Sequence, residues 1–316
     1  MSTKKYLVMI KKTMILFVVL IPMILNVYAQ DEILPCIAFS FDDGNPNDIL
    51  QYTAEDWNNM IISTLKKNSI HSVWFVAAKN MDNERGINLL KNWNKSGNLI
   101  ANHTYNHRNY NQSGISCSEF ISDIQRCDSL ISNYSNYRKI FRFPYLKCGN
   151  TVEKRDSLRS WFDNNGYQQG WVSVDASDWY INSRLIQRLK EDSLADITDF
   201  RDYYVNHIFE RALYYNSLSK EINQRQIKHI LLLHFNLTSA LFLDDLIRKF
   251  ISEGWKIESY AKAIEDPVYL ELPSAMPSEQ SLIWMMAKQC GHYEKVLRYP
   301  GEDGEYEKDK MDKLGL

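Results

Sequence analysis

Two adjacent carboxylates, Asp42 and Asp43, follow directly on the apolar run Ile37–Phe41, and Gly44 comes next in "IAFSFDDGNPND". Like charges side by side repel and gain nothing as surface decoration. A dication removes the difficulty, because one carboxylate can bind it while its neighbour takes a proton. Four further polar blocks end apolar runs downstream: "ANHTYNH" with His103 and His107, "FRFPY" with Arg142 and Tyr145, "VDASDW" with Asp175, Asp178 and Trp179, and "LLLHFN" with His234. Each has an ordinary structural explanation when taken alone. Acids cap helices or sit in turns, an arginine pairs in a salt bridge, and a histidine ending an apolar strand is usually hydrogen-bonded in the core. Together they are a set of parts for metal-assisted hydrolysis. His103, His107 and one of the aspartates supply imidazole and carboxylate ligands with positions left open. A divalent ion held there polarises a carbonyl oxygen and lowers the pKa of water. A second carboxylate can take the proton, and His234 is the candidate acid for the leaving amine or alcohol.

Residues scattered over nearly 200 positions need a scaffold that gathers strand ends. Short β-type runs occur at Ile37–Phe41, Ser72–Val76, Leu99–Asn102, Ile140–Phe143, Gly170–Val174, His229–Leu233 and Trp255–Glu258. Helix-like segments lie between most of them, at Ala54–Lys67, Gly86–Lys95, Ser118–Ser132, Val152–Asn164 and Ser239–Ser252. This alternation predicts an α/β fold with a parallel sheet and outer helices. The nearly all-apolar runs predict strands buried on both faces. About seven such units suit a distorted (β/α) barrel, whose C-terminal strand ends share one face. Residues 180–225 break the rhythm as a helical insertion in which Tyr203, Tyr204, Phe209, Leu213 and Tyr214 recur at helical spacing, predicting a packed helix. From 266 to 316 a short helical C-terminal extension follows: a helix N-capped by Ser278 and ending near Gly291, then a mobile charged tail.

The five blocks, in order, resemble the motifs of the NodB-homology polysaccharide deacetylases, carbohydrate esterase family 4. Their usual forms are TFDDGP, HSxxH, RxPY, DxxDW and LxH; here they stand as "SFDDGN", "HTYNH", "RFPY", "DASDW" and "LLH". The resemblance implies roles. Asp42 would be the general base, and Asp43, His103 and His107 the metal ligands. Arg142 would hold the base, and Tyr145 would lend its backbone N–H to the oxyanion. His234 would be the general acid, oriented by Asp178, while Trp179 and Leu232 would shape a pocket for the acetyl methyl. The implied cofactor is a divalent ion, zinc first, with Co2+, Ni2+ or Mn2+ accepted, and the implied partner is an acetylated carbohydrate. The sequence departs from the usual motifs at Asn45, where proline is common, and at Leu146, where glycine often follows the tyrosine.

The domain organisation read from the chain is a signal peptide at 1–29, a deacetylase catalytic domain at 30–265 that includes the 180–225 insertion, and the extension at 266–316. Lys4, Lys5, Lys11 and Lys12, an apolar run from Met14 to Leu25 and a small residue at Ala29 make up the leader. Its apolar run is shorter than the roughly 20 residues of a spanning helix and contains Pro22, so no stable membrane span is expected after cleavage. The expected location is therefore periplasmic or extracellular. A formal net charge of −2 gives no electrostatic footprint for nucleic acid. Of the five cysteines, Cys117 and Cys127 fall about 15 Å apart on one expected helix, too far to bridge. The sequence leaves the glycan, the choice of N- over O-acetyl and the oligomeric state open. Two alternatives stand beside the leading function: an amidase for a small non-carbohydrate amide or imide, and a non-catalytic glycan-binding relative.

Overall fold

The computed structural model describes residues 34–297 and 304–316, so the leader expected at 1–29 lies outside the described part. In chain order the strands are β1 (Cys36–Asp43), β2 (Val73–Val76), β3 (Leu99–Asn102), β4 (Tyr137–Phe141), β5 (Lys147–Gly149), β6 (Gln168–Gln169), β7 (Lys228–His234), β8 (Lys256–Ile257) and β9 (Ser278–Glu279). The helices are α1 (Ala54–Lys67), α2 (Ala78–Met81), α3 (Glu84–Lys95), α4 (Cys117–Ile131), α5 (Val152–Asn165), α6 (Asp178–Glu191), α7 (Thr198–Asn223), α8 (Leu237–Ser252), α9 (Tyr260–Ala263), α10 (Leu282–Cys290) and α11 (Glu305–Leu314). The main sheet has the order β6-β4-β3-β2-β1-β7, every neighbouring pair parallel. β8 pairs with β1 at Cys36 and Ile37, ahead of the Ser40–Asp43 stretch that pairs with β2. With a strand on each edge and both faces covered, β1 is buried from Ile37 to Asp42, which is why it reads as an unbroken apolar run.

The sheet curls into a distorted barrel of parallel strands with outer helices, as the alternation predicts, but one expected strand is divided. Gly170–Val174 is not a single strand. Gln168 and Gln169 pair with β4, the Gly170 N–H donates to the Phe141 carbonyl, and the chain then crosses to β7, where Val174 bridges Leu231. The ends of the sheet are thus joined by a short crossing segment and not by a full ladder. The crossing passes so close to the interior that a Cβ on Gly170 would lie 2.6 Å from the Phe75 ring.

Outer helices form where caps and apolar stripes coincide. Thr53 and Asp56 make a capping box for α1, and Ser116 and Glu119 make one for α4; each such N-cap is worth about 1 kcal/mol. Trp57, Ile61 and Leu65 on α1, and Phe120, Ile124, Cys127 and Ile131 on α4, recur at the spacing of one helix face and are buried.

The insertion consists of two helices. α6 begins at Asp178, inside the fourth motif, and α7 is 26 residues long. Its packed face runs through Phe200, Tyr203, Tyr204, Ile208, Ala212 and Tyr215, while Leu213, expected on that face, is 44% exposed. The C-terminal region also differs from expectation. Ser278 does not cap a helix, because Ser278 and Glu279 pair antiparallel with β5; Ser281 is the N-cap of α10, which ends at Gly291 as expected. The tail expected to be mobile forms α11 and docks on α7. Buried Glu307 accepts from Arg211 Nη2 at 2.8 Å and from the Tyr203 hydroxyl at 3.1 Å, with His207 Nδ1 3.3 Å away. Those partners lie about a hundred residues upstream, so no local pattern announces the contact. The five cysteines are free thiols.

Removing one partner of a buried ion pair strands the other. Glu307→Ala is therefore expected to cost about 3–5 kcal/mol, read as a lowered urea midpoint. Arg248→Ala, at an exposed pair with Asp244 and Asp245, is expected to cost under about 1 kcal/mol.

Candidate active site

The strand ends bring the predicted residues together. Asp42, Asp43, His103, His107, Tyr145, Trp179, Leu232 and His234 line one cleft of about 420 Å³. Arg142 and Asp178 stand behind it, each bonded to a lining residue. Register explains the convergence: Asp42 lies opposite His234 on β7, and Asp43 lies opposite Val76 on β2, which in turn lies opposite Asn102 on β3, just before His103.

Arg142 is buried and crosses the barrel interior. Its Nη1 donates to Asp42 Oδ1 at 2.5 Å and to Ser40 Oγ at 2.9 Å, and its Nε donates to the Gly170 carbonyl at 2.8 Å. The guanidinium lies 3.9 Å over the Phe75 ring. The Arg142 carbonyl accepts from His103 Nδ1 at 2.8 Å. This bond leaves His103 Nε2 as the lone-pair nitrogen facing the cleft. Burial pushes the His103 imidazole down to about 4, against the pull of Asp42 and Asp43, so the ring is neutral at pH 7.

Asp43, His103 and His107 form a potential metal site, their ligand atoms all within 4.8 Å of one another. Asp43 Oδ1 lies 3.0 Å from His107 Nε2 and 3.6 Å from His103 Nε2. A tetrahedral zinc ion with ~2.05 Å bonds separates its ligand atoms by about 3.3 Å, a value between those two. Asp43 Oδ1 is buried and faces the two imidazoles. Burial disfavours its charge, but the His107 hydrogen bond and the neighbouring imidazoles outweigh that and hold the Asp43 carboxyl well below the usual carboxylate range. The donor set therefore fits a divalent ion.

His234 has the opposite electrostatics. Burial disfavours its charge, yet the Asp178 carboxylate wins, and with Asp43 and Asp42 raises the imidazole to about 10. Asp178 Oδ1 lies 2.6 Å from His234 Nδ1, and Asp178 Oδ2 accepts the His234 backbone N–H at 2.8 Å. The Nε2–H remains for the cleft.

The backbone around the cleft is unusual. Asp43 (φ 75°), Thr104 (67°), His107 (54°), Tyr145 (56°) and Leu146 (53°) all adopt the left-handed region, at about 1–3 kcal/mol each for residues with a side chain. Gly44 (φ 155°) makes the turn after β1 without that cost. The Tyr145 ring packs 4.6 Å from that of His107.

Sequence reasoning did not single out Ser40, Phe75 and Gly170 around Arg142, or Asn236, whose Nδ2 donates to Asp178 Oδ2 at 3.2 Å while its Oδ1 caps α8. Asn236 is the second residue after His234, so proximity to the fifth motif was the available signal. The others have none, since they act by touching Arg142 across strands. Asp175 and Leu146 also line the cleft.

The profile of the polysaccharide deacetylase family matches residues 30–160. A curated relative, the peptidoglycan-N-acetylglucosamine deacetylase of Bacillus cereus, is 27% identical over 144 residues, which cover 45% of this chain and 46% of that protein. The match thus spans under half the length of that relative. A carbohydrate esterase family 4 pseudoenzyme from Bacillus anthracis superposes with a TM-score of 0.52 at 15% identity, over 73% of this chain and 66% of that one. The chitin deacetylase of the fungal pathogen Colletotrichum lindemuthianum superposes with a TM-score of 0.50 at 19% identity, over 74% of this chain and 92% of that one. At these identities the structures speak to the fold alone. Over residues 30–160, less than half of the chain, the sequence is thus similar to the polysaccharide deacetylase family, and the fold is like that of the solved structures above.

Proposed function

We propose that this chain is an exported, metal-dependent deacetylase that hydrolyses N-acetyl or O-acetyl groups on a carbohydrate and releases acetate. The observation that carries this reading is a pair of opposed proton-transfer groups beside one three-ligand set: a carboxylate clamped by an arginine, and an imidazolium maintained by a carboxylate. Export rests on the leader-like residues 1–29; no helix among the described residues is long and apolar enough to cross a membrane.

Asp43, His103 and His107 would hold the ion, and its two imidazoles and one carboxylate suit zinc, with cobalt, nickel or manganese accepted. When bound, the ion supplies Lewis acidity toward the acetyl carbonyl and lowers the pKa of water. Asp42, fixed by Arg142, takes the proton from the attacking water. The Tyr145 backbone N–H donates to the oxygen that becomes negative. Trp179 and Leu232 wall the space for the acetyl methyl. The His234 Nε2–H protonates the leaving nitrogen or oxygen as the carbonyl re-forms and acetate departs. Asp178 keeps that proton available and orients the ring.

The reading is tested by acetate release from acetylated chito-oligosaccharides, peptidoglycan fragments and acetylxylan with zinc-loaded protein; glycan binding without release from any of them would favour the non-catalytic alternative. Asp42→Asn is expected to lower turnover by about 10²–10⁴-fold with metal content unchanged. His103→Ala is expected to weaken zinc binding by more than the roughly 10–100-fold that loss of an outer hydrogen-bond partner costs, read by competition with a chelating dye. His234 must be protonated to act, so turnover should fall as pH rises past about 10. Asp178→Asn removes the largest charge that raises this imidazole, so the alkaline limb is expected to move to lower pH in the pH–rate profile.

A further inference from the structure

Two consecutive residues with side chains, Tyr145 and Leu146, hold left-handed backbone at φ 56° and 53° in the turn between β4 and β5. Neither is glycine or asparagine, so nothing intrinsic to the pair favours this conformation. Within the turn, the Leu146 N–H donates to the Phe143 carbonyl at 3.0 Å, and the Lys147 N–H donates to the Pro144 carbonyl. Tyr145 is 46% exposed, so beyond the contact of its ring with His107 its own burial contributes little.

A second hold reaches the turn from far downstream. The Leu146 carbonyl accepts the Gln280 N–H at 3.2 Å, and β9 pairs with β5, Lys147 opposite Glu279 and Gly149 opposite Ser278. Glu279 Oε2 accepts from Lys147 Nζ at 3.0 Å and from Asn111 Nδ2 at 3.2 Å, while Asn111 Oδ1 accepts the Gly149 N–H at 2.8 Å. One carboxylate oxygen therefore fastens both ends of β5, directly at Lys147 and through Asn111 at Gly149. The Lys147 and Glu279 side chains are only 19% and 22% exposed, which shields the pair from the solvent screening that weakens surface pairs. β9 is itself anchored. The Leu282 N–H donates to the Val172 carbonyl of the crossing segment at 2.8 Å, and Ser281 caps α10, which packs on α7. These anchors lie outside residues 30–160, the stretch that matches the family profile.

We propose that Glu279 is a positioning residue: through β5 it holds the Tyr145–Leu146 turn in its left-handed conformation, and with it the Tyr145 N–H that meets the developing oxyanion. The role of that N–H rests on the deacetylase reading; the brace on the turn does not. An oxyanion donor acts in the transition state and not on bound substrate, so loosening it lowers kcat and spares KM.

Two measurements on zinc-loaded protein test this. The first is amide hydrogen exchange at Leu146 and Gln280, which Glu279→Ala is expected to speed by about 10-fold, the loss of roughly one hydrogen bond to a charged group. The second is acetate release from acetylated chito-oligosaccharides, peptidoglycan fragments or acetylxylan, whichever the wild type turns over fastest. Glu279→Ala is expected to lower kcat by about 10-fold, short of the roughly 10²–10³ that deleting an oxyanion donor costs, with KM and zinc affinity unchanged. Glu279→Gln keeps an oxygen for Lys147 and Asn111 and should return kcat to within about 3-fold of the wild type. Asparagine adopts the left-handed region more readily than leucine, so in a Leu146→Asn background Glu279→Ala should cost under about 3-fold. Unchanged exchange at Leu146, a raised KM with kcat intact, or the same loss of kcat in both backgrounds overturns the proposal. Faster exchange in Glu279→Ala with no acetate release from any glycan by the wild type keeps the brace and sinks the deacetylase reading. Acetate release with unaltered exchange does the reverse.

Discussion

The site depends on one buried residue that does not itself line the cleft. Arg142 ties β1 to the crossing segment through Asp42, Ser40 and the Gly170 carbonyl, and its guanidinium lies on Phe75 of β2. A guanidinium buried this deeply is stable only with its charge matched, and Asp42 matches it. The same residue's main chain receives the His103 ring and so fixes which nitrogen faces the cleft. One position thereby sets the orientation of both the Asp42 carboxylate and the His103 imidazole. The two functions are also separable, since a change of side chain removes the first and leaves the carbonyl that serves the second.

The opposite wall is organised around a carboxylate. Asp178 opens α6, binds His234 twice and receives the Asn236 amide. Asn236 in turn caps α8, which packs against α1 and α7. The position of the imidazolium is therefore set by four helices, of which α6 and α7 form the insertion. What looked in the sequence like an interruption of the barrel rhythm is part of the frame that holds the His234 ring.

Most of the scaffold was legible because strands buried on both faces and helices with capping boxes leave local patterns; α1 was read to the residue, and the strand-end blocks all reach the cleft. What escaped was non-local. The division of Gly170–Val174 depends on a close approach to Phe75 that no periodicity encodes. The α11 tail looked mobile because it is highly charged, yet Glu307 meets Arg211 and Tyr203, residues read as belonging to a different segment. Ser278 has the chemistry of an N-cap and lost that role to Ser281 because pairing with β5 claims its backbone. Leu213 shows the limit of apolar counting, since a helix 26 residues long drifts around its own axis and one apolar position ends in solvent.

The left-handed backbone at Asp43, Thr104, His107, Tyr145 and Leu146 has a consequence for the history of such a chain. These conformations are unfavourable for the residues that adopt them, and glycine or asparagine would relieve the strain. The barrel rim thus sits in tension between easy folding and its present side chains: drift toward easier turns would raise stability while erasing two residues of the potential metal site, Asp43 and His107. A copy under no demand to keep these side chains would be under steady pressure to soften at these five positions. Here the rim carries aspartate, histidine and tyrosine at three of these left-handed positions.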